Sequence, residues 1–311
     1  MSKDNFERLC SAIKKSVGSY SEKPVTISFS GGIDSALIAL LAKDFTDVEL
    51  IAVGTPGSHD LIAAKSAAEI MGMKLRQVEV SSEEMAAEAV EMRKEIDLEQ
   101  IEVEFMLPFW IVAKKAKHST LMCGQGADEL FGGYARFRDE KNVPNLSKEV
   151  NSLSERINER EIKIADLFNL ELSCPYLSSD VVKAAENFSQ DERIGNVGKV
   201  VLRKSAEMLG LPREIAQRKK KAAQYGSGSQ KALKKMIKHT IEFEIAFESK
   251  KIAESVAKAT EPENLGWVDT RVRSNTLHAT VKADSIGSLR EAAEDFMSCL
   301  SVAENVAKQL N

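Results

Sequence analysis

Apolar side chains mark one face of a helix over residues 4–17, where Phe6, Leu9, Cys10, Ile13 and Val17 recur at helical spacing and Gly18 ends the run. Beyond Pro24 the runs shorten. VTISFS reads as a buried strand that stops at Gly31-Gly32, and residues 35–43 read as a helix. VELIAVG (48–54) predicts a second buried strand, 60–72 a helix closed by Gly72, LRQVEV (75–80) a third strand and 82–95 another helix. A helix is expected over 109–117, after Pro108, and a fourth strand at STLMCG (119–124). Strands alternating with helices predict a parallel sheet with crossover helices. Ligands of such sheets sit at the carboxyl ends of strands, where the SGGIDS and GQGADE turns fall.

Residues 146–235 read as mostly helical, a lobe beside the sheet. After residue 238 the period changes. TIEFEIAF (240–247) alternates apolar and polar like a half-buried strand, and SKKIAESVAKAT is helical. WVDTRVR (267–273) and NTLHATVKA (275–283) alternate again around a turn at Ser274-Asn275, and a long final helix follows. The expected fold class is α/β: a parallel-sheet domain with a helical lobe over 1–235, then a small antiparallel α+β domain over 238–311.

Composition narrows the class. Of 311 residues, 43% are apolar and 29% charged, which excludes a disordered or fibrous chain. No run reaches the roughly 18 apolar residues of a membrane span, and MSKDNFERLC has no apolar secretory core, so a cytoplasmic protein without a membrane partner is expected. Net charge is only −4, yet residues 213–238 carry nine Lys or Arg against one acid, a local pointer to phosphate. The segment 238–311 has nine basic and twelve acidic residues, so no basic stripe is expected there. Cys10, Cys123, Cys174 and Cys299 are widely spaced, which argues against a zinc ribbon, a cluster or a redox dithiol.

The candidate chemistry begins at SGGIDS. Gly31 and Gly32 let backbone approach phosphate oxygens, while amide N–H groups and the following helix start favour an anion. Ser30 and Ser35 add hydroxyls, and Asp34 suits a Mg²⁺ ion bridging phosphates. The plainer reading is a strand–turn–helix with a capping serine. GNVGKV (195–200) lacks the spacer and the Ser/Thr of a P-loop and is rejected as one.

SGGIDS after a strand resembles the pyrophosphate loop of the ATP pyrophosphatases. LMCGQGADELFGGYARF (121–137) resembles the GEGADE-x-FGGY signature of the asparagine synthetase family. GTPGSHDLIAAKSAAEIMG (54–72), CPYLSSDVV (174–182) and GKVVLRKSAEMLGLPREIAQRKKK (198–221) are similar to further family segments, in order over residues 24–230. The resemblance implies an adenine nucleotide alpha hydrolase-like fold. It also implies MgATP-dependent adenylation of a carboxylate, with ammonia or an amine attacking the adenylate. By position, Ser30, Gly31, Gly32, Asp34 and Ser35 would hold pyrophosphate and Mg²⁺, with Asp128 as the second metal ligand and a catalytic residue. Val53 and Gly54 would pass the adenine, Gly124 would lie near the ribose, and Lys199 and Lys220 would lie over the phosphates as catalytic cations. Lys220 rises above the plain reading of Lys219 to Lys221 as a solvated face only through its family match.

Three departures from the family pattern matter. Residue 2 is Ser2 and few residues precede the loop, so glutaminase activity is not expected of this chain. Glu104 stands where the family has Arg near the acceptor pocket, which puts free aspartate in doubt. Gln125 replaces the first Glu of the signature and Ser178 the Asp of the PFLD segment. Cys123 and Cys174 each flank a matched motif; packed core thiols are the favoured reading, sulfur transfer the alternative. From residue 238, TIEFEIAFESKKIAESVAKATEPE and RSNTLHATVKADSIGSLREAAEDFMSCLSVAE resemble the small dimerising subunit of the KEOPS tRNA-modification complex. That resemblance implies a homodimer and makes tRNA an alternative acceptor, with KEOPS subunits as partners. A non-catalytic nucleotide-binding subunit is the weaker alternative.

Overall fold

The computed structural model describes residues 1–138, 145–218, 226–236, 239–261, 267–283 and 286–309. The chain divides into two compact units, Met1–Ala232 and Leu233–Asn311.

The first unit is built from α1 (Lys3–Ser19), β1 (Val25–Ser28), α2 (Ile33–Ala42), β2 (Val48–Gly54), α3 (His59–Ile70), β3 (Leu75–Glu79), α4 (Ser82–Glu95), α5 (Gln100–Lys115) and β4 (Thr120–Met122). Then come α6 (Ala127–Phe131), α7 (Leu146–Glu159), α8 (Glu161–Leu167), β5 (Glu171–Ser173), α9 (Ser179–Glu186), α10 (Gln190–Ile194), α11 (Val200–Met208) and α12 (Arg213–Ala216), and α13 (Ser229–Met236) crosses the boundary after Ala232. The five strands form one parallel sheet in the order β3-β2-β1-β4-β5. Val25 pairs with Val48 on one side and with Thr120 on the other. The order reverses between β1 and β4, and a ligand crevice is expected outside the carboxyl ends of those two strands.

Burial explains the elements. Helix α2 is buried along nearly its whole length because it is apolar on almost every face. Helix α1 buries Phe6, Leu9, Cys10, Ile13 and Val17, the face its spacing marks, and packs on α2, α9 and α11. One expectation needs correction. No helix starts at residue 109, because α5 begins at Gln100 and runs through Pro108. An interior proline costs roughly 3 kcal/mol. Burial of Val103, Met106, Leu107, Trp110 and Ile111 offsets that cost, at roughly 1.5–3 kcal/mol for each large apolar side chain. The stretch 146–235 is mostly helical, as expected, and also holds one short strand: β5 pairs Leu121 with Leu172, and the Glu171 amide donates to the Ser119 carbonyl at 2.7 Å.

The second unit holds β6 (His239–Ala246), α14 (Lys250–Thr260), β7 (Val268–Arg273), β8 (Thr276–Ala283) and α15 (Ile286–Gln309). Its antiparallel sheet has the order β6-β8-β7. Leu277, Ala279 and Val281 of the middle strand meet Ala253 and Val256 of α14 and Phe296 of α15 in one core.

Candidate functional site

β1 delivers the chain into Ser30–Gly32, and Gly32 caps α2. Gly31 has φ +70°, and a β-carbon there would stand 2.4 Å from the Ala63 carbonyl oxygen of α3. Only glycine fits both the backbone and the space. The Ser30 amide donates to Ser35 Oγ at 3.2 Å, and the Gly32 amide reaches Ser30 Oγ at 3.4 Å. The loop therefore folds around its own two serines at the start of a helix, the arrangement that receives an anion.

Beneath it lies an ion triad. Lys199 Nζ donates to Asp34 Oδ1 at 2.7 Å and Oδ2 at 2.8 Å, and sits 2.7 Å from Asp128 Oδ1. Lys199 is 3% exposed and precedes α11 in the left-handed region at φ 57°. Gly133 leaves room for the triad, since a β-carbon there would lie 1.9 Å from Asp128 Oδ1. Tyr176 Oη donates to the Asp34 carbonyl at 3.0 Å, fixing the first turn of α2; burial raises its own phenol well above the ordinary range.

Asp34, Ser30, Gly32, Ser35, Gly124 and Asp128 all line one cleft of about 220 Å³. Val53 and Gly54 end β2 beside it without lining it. Lys199 holds two of the lining carboxylates together. Lys220 and the basic run around it lie outside the described residues. Arg218 lines the cleft instead, donating to the carbonyls of Gly31 (3.3 Å) and Ala63 (2.7 Å) and to Ser66 Oγ (3.1 Å). Buried Arg203 ties this segment together through the carbonyls of Gly198, Ala216 and Arg218.

Two short stretches and one longer one carry this geometry, 30–35, 124–128 and 198–218. The family model described as asparagine synthase matches residues 8–163 and 151–274. The chain belongs to the asparagine synthase family. The match extends past the first compact unit into β7 of the second. A protein of Methanocaldococcus jannaschii bearing the name asparagine synthetase 1 (glutamine-hydrolyzing) is 33% identical over 258 residues, 69% of this chain and 48% of that one. Asparagine synthetase B (glutamine-hydrolyzing) of Escherichia coli is 26% identical over 257 residues, 73% of this chain and 46% of that one. The chain thus spans about half the length of these curated relatives. Among solved structures, the "predicted subunit of tRNA methyltransferase" of Methanocaldococcus jannaschii is 19% identical with a TM-score of 0.29, covering 64% of this chain and 94% of that one. NMN synthetase of Francisella tularensis is 12% identical with a TM-score of 0.31, covering 70% and 97%.

Phe105, Met106 and Phe109 of α5 also line the cleft, with Cys123, Gln125 and Glu161. The expected role of Glu104 is corrected here. Glu104 is not among the lining residues; Gln230 Nε2 donates to its Oε2 at 3.0 Å, and its carbonyl accepts from Ser229 Oγ at 2.5 Å. One residue along a helix turns a side chain by about 100°, enough to take Glu104 off the face of Phe105 and Phe109. Glu161, which carries no motif in the sequence, is a further carboxylate of the lining. No local motif marks it; its place at the start of α8 follows from tertiary packing. Cys123 Sγ and Cys174 Sγ lie 3.5 Å apart at the ends of β4 and β5. The Cys123 thiol and burial together push the Cys174 thiol well above its ordinary value, so it stays protonated at neutral pH.

Among the described residues, no group of three or more His, Cys, Asp or Glu side chains could hold a metal by itself, and no helix is long and apolar enough to cross a membrane. Asp34 and Asp128 both reach one ammonium nitrogen, so this pair of hard oxygen donors fits one divalent ion whose remaining ligands come from phosphate and water.

Proposed function

We propose that this chain is an ATP-dependent, AMP-forming ligase. An acceptor oxygen attacks the α-phosphorus of ATP, the bond to the β-phosphate breaks, and pyrophosphate leaves. Ammonia or an amine then attacks the adenylated carbon, AMP departs and the nitrogen loses a proton. The observation that carries this reading is that Ser30, Gly32, Ser35, Asp34 and Asp128 line one cleft, with Lys199 holding the two aspartates together. Asp34 and Asp128 would hold Mg²⁺, which when bound neutralises charge developing on the leaving pyrophosphate. Ser30, Ser35 and the loop amides would bind the phosphate oxygens, Val53, Gly54 and Gly124 would flank the nucleoside, and Arg218, Lys199 and Lys220 would supply cations that stabilise the transition state.

The acceptor in this reading is a small carboxylate. A second reading takes tRNA as acceptor; it is favoured by nine basic residues over 213–238 and by the likeness of the second unit to a KEOPS subunit. That unit would join two copies of the chain, since Ile286, Met297, Val302 and Val306 of α15 leave apolar surface exposed. The test is product analysis with MgATP, ammonium and either an amino-acid pool or total tRNA. AMP formation stimulated by the pool supports the first reading, and stimulation by tRNA the second. Asp34→Ala should remove it in either case.

A further inference from the structure

The fold brings together two thiols that lie 51 positions apart in the chain. Met122 of β4 and Ser173 of β5 are register partners, so Cys123 and Cys174 are the next pair along two parallel strands. The Cys123 amide donates to the Ser173 carbonyl at 3.0 Å. Neighbouring strands run about 4.8 Å apart, inside the separation a disulfide spans. The two sulfurs stand 3.5 Å apart and both thiols are free. Cys123 lines the cleft, and Cys174 is half-buried beside it. The wide spacing of the cysteines in sequence gives no sign of this pair. Each cysteine also leads into a residue that supports Asp34. Gly124 packs so closely that a β-carbon on it would stand 2.8 Å from Asp34 Cβ, and Tyr176 donates to the Asp34 carbonyl at 3.0 Å.

Resting on the reading of this cleft as the ATP site, we propose that Cys123 and Cys174 are a site of reversible oxidation by small peroxides, and that their disulfide weakens nucleotide binding. Cys123, which lines the cleft, attacks the peroxide. Its sulfur takes one oxygen, the O–O bond breaks, and the departing hydroxide leaves as water with the thiol's proton. The Cys174 sulfur then attacks the sulfenic sulfur 3.5 Å away. The S–O bond breaks, and the hydroxyl leaves with the Cys174 proton as a second water. Two electrons pass from the two thiols to one peroxide, and a dithiol reductant returns them. Closing the gap between the sulfurs to a covalent bond draws the ends of β4 and β5 together. The movement passes into Gly124 and Tyr176, and so into Asp34, because Gly124 has no slack against that residue.

Two measurements on the full chain test this. Hydrogen peroxide, followed by peptide mass mapping without reductant, should yield a linked pair of peptides holding Cys123 and Cys174, short of two hydrogens, and dithiothreitol should release it. Calorimetry with magnesium and a non-hydrolysable ATP analogue should show at least a fivefold loss of affinity in the oxidised chain, recovered with dithiothreitol. Cys174→Ser should bind the analogue like the reduced wild type, yield no linked peptides and show no loss that dithiothreitol reverses. Should that variant fail to fold, Cys174→Ala takes its place, and recovery of the wild type by dithiothreitol stands by itself. A folded wild type that gives no link between Cys123 and Cys174, or a link that leaves the affinity unchanged, overturns the proposal. So does the same reversible loss in Cys174→Ser. A reduced wild type that binds no ATP analogue sinks instead the reading of the cleft on which the proposal rests.

Discussion

Replacing Lys199 by Met keeps most of the apolar stem of the side chain and removes its charge. The ammonium touches both oxygens of Asp34 and one of Asp128, and the three side chains are 3%, 9% and 16% exposed. A unit pair 2.8 Å apart attracts by roughly 6 kcal/mol at an effective dielectric near 20. Much of that offsets the cost of taking the groups out of water. The decisive quantity is the state left behind, two carboxylates facing each other with no cation. Removing one partner of a buried pair costs about 3–5 kcal/mol, and that is the expected loss for Lys199→Met. Neutralising Asp34 in the same chain should return about 1–3 kcal/mol, because the two changes share one interaction. Urea unfolding in a Trp267→Phe background, followed by the fluorescence of buried Trp110, reads the first unit. A loss below about 1 kcal/mol for Lys199→Met, or losses that simply add with Asp34→Asn, would refute the reasoning.

Other consequences follow from the same geometry. Gly31→Ala places a β-carbon against the Ala63 backbone in a left-handed conformation, so it should cost about 1–3 kcal/mol and abolish ATP binding by calorimetry; an unchanged affinity would contradict the loop geometry. Burial pushes the Glu49 carboxyl up, but hydrogen bonds from Thr26, the Lys117 amide and Arg76 outweigh it and hold the pKa below its ordinary value. Its stabilisation is therefore present above the usual glutamate range and fades as pH falls through the lowered folded value. Glu49→Gln should flatten the acid limb of the Tm–pH curve, and an unaltered limb would count against the network. Two copies are expected to associate through the second unit. Val302→Glu with Val306→Glu should shift the full chain from dimer to monomer in sedimentation, and a wild type that is monomeric at tens of micromolar would end that expectation.

The parallel sheet and the loop after β1 were legible because their signals are local: short apolar runs, a Gly-Gly turn and a helix start within a few residues. The triad was not. Asp34 and Lys199 are 165 positions apart, and the sequence marked both as phosphate neighbours without showing that they hold each other. Strand β5 has three residues, too few to show alternation, and owes its existence to pairing with β4. Pro108 suggested a helix start, but the buried face of α5 outweighed it. Glu104 and Glu161 mark the limit most clearly. A resemblance aligned Glu104 with the acceptor pocket, while helix phase turned it towards Gln230; Glu161 carried no motif and arrived by packing.

The most direct test of the central claim is the identity of the products made from ATP. Purified chain with MgATP, ammonium, an amino-acid pool and total tRNA can be followed by phosphorus NMR beside Asp34→Ala. The account predicts AMP and pyrophosphate in equal amounts from the wild type and neither from Asp34→Ala. ADP and orthophosphate, or AMP formed equally by both chains, would contradict it.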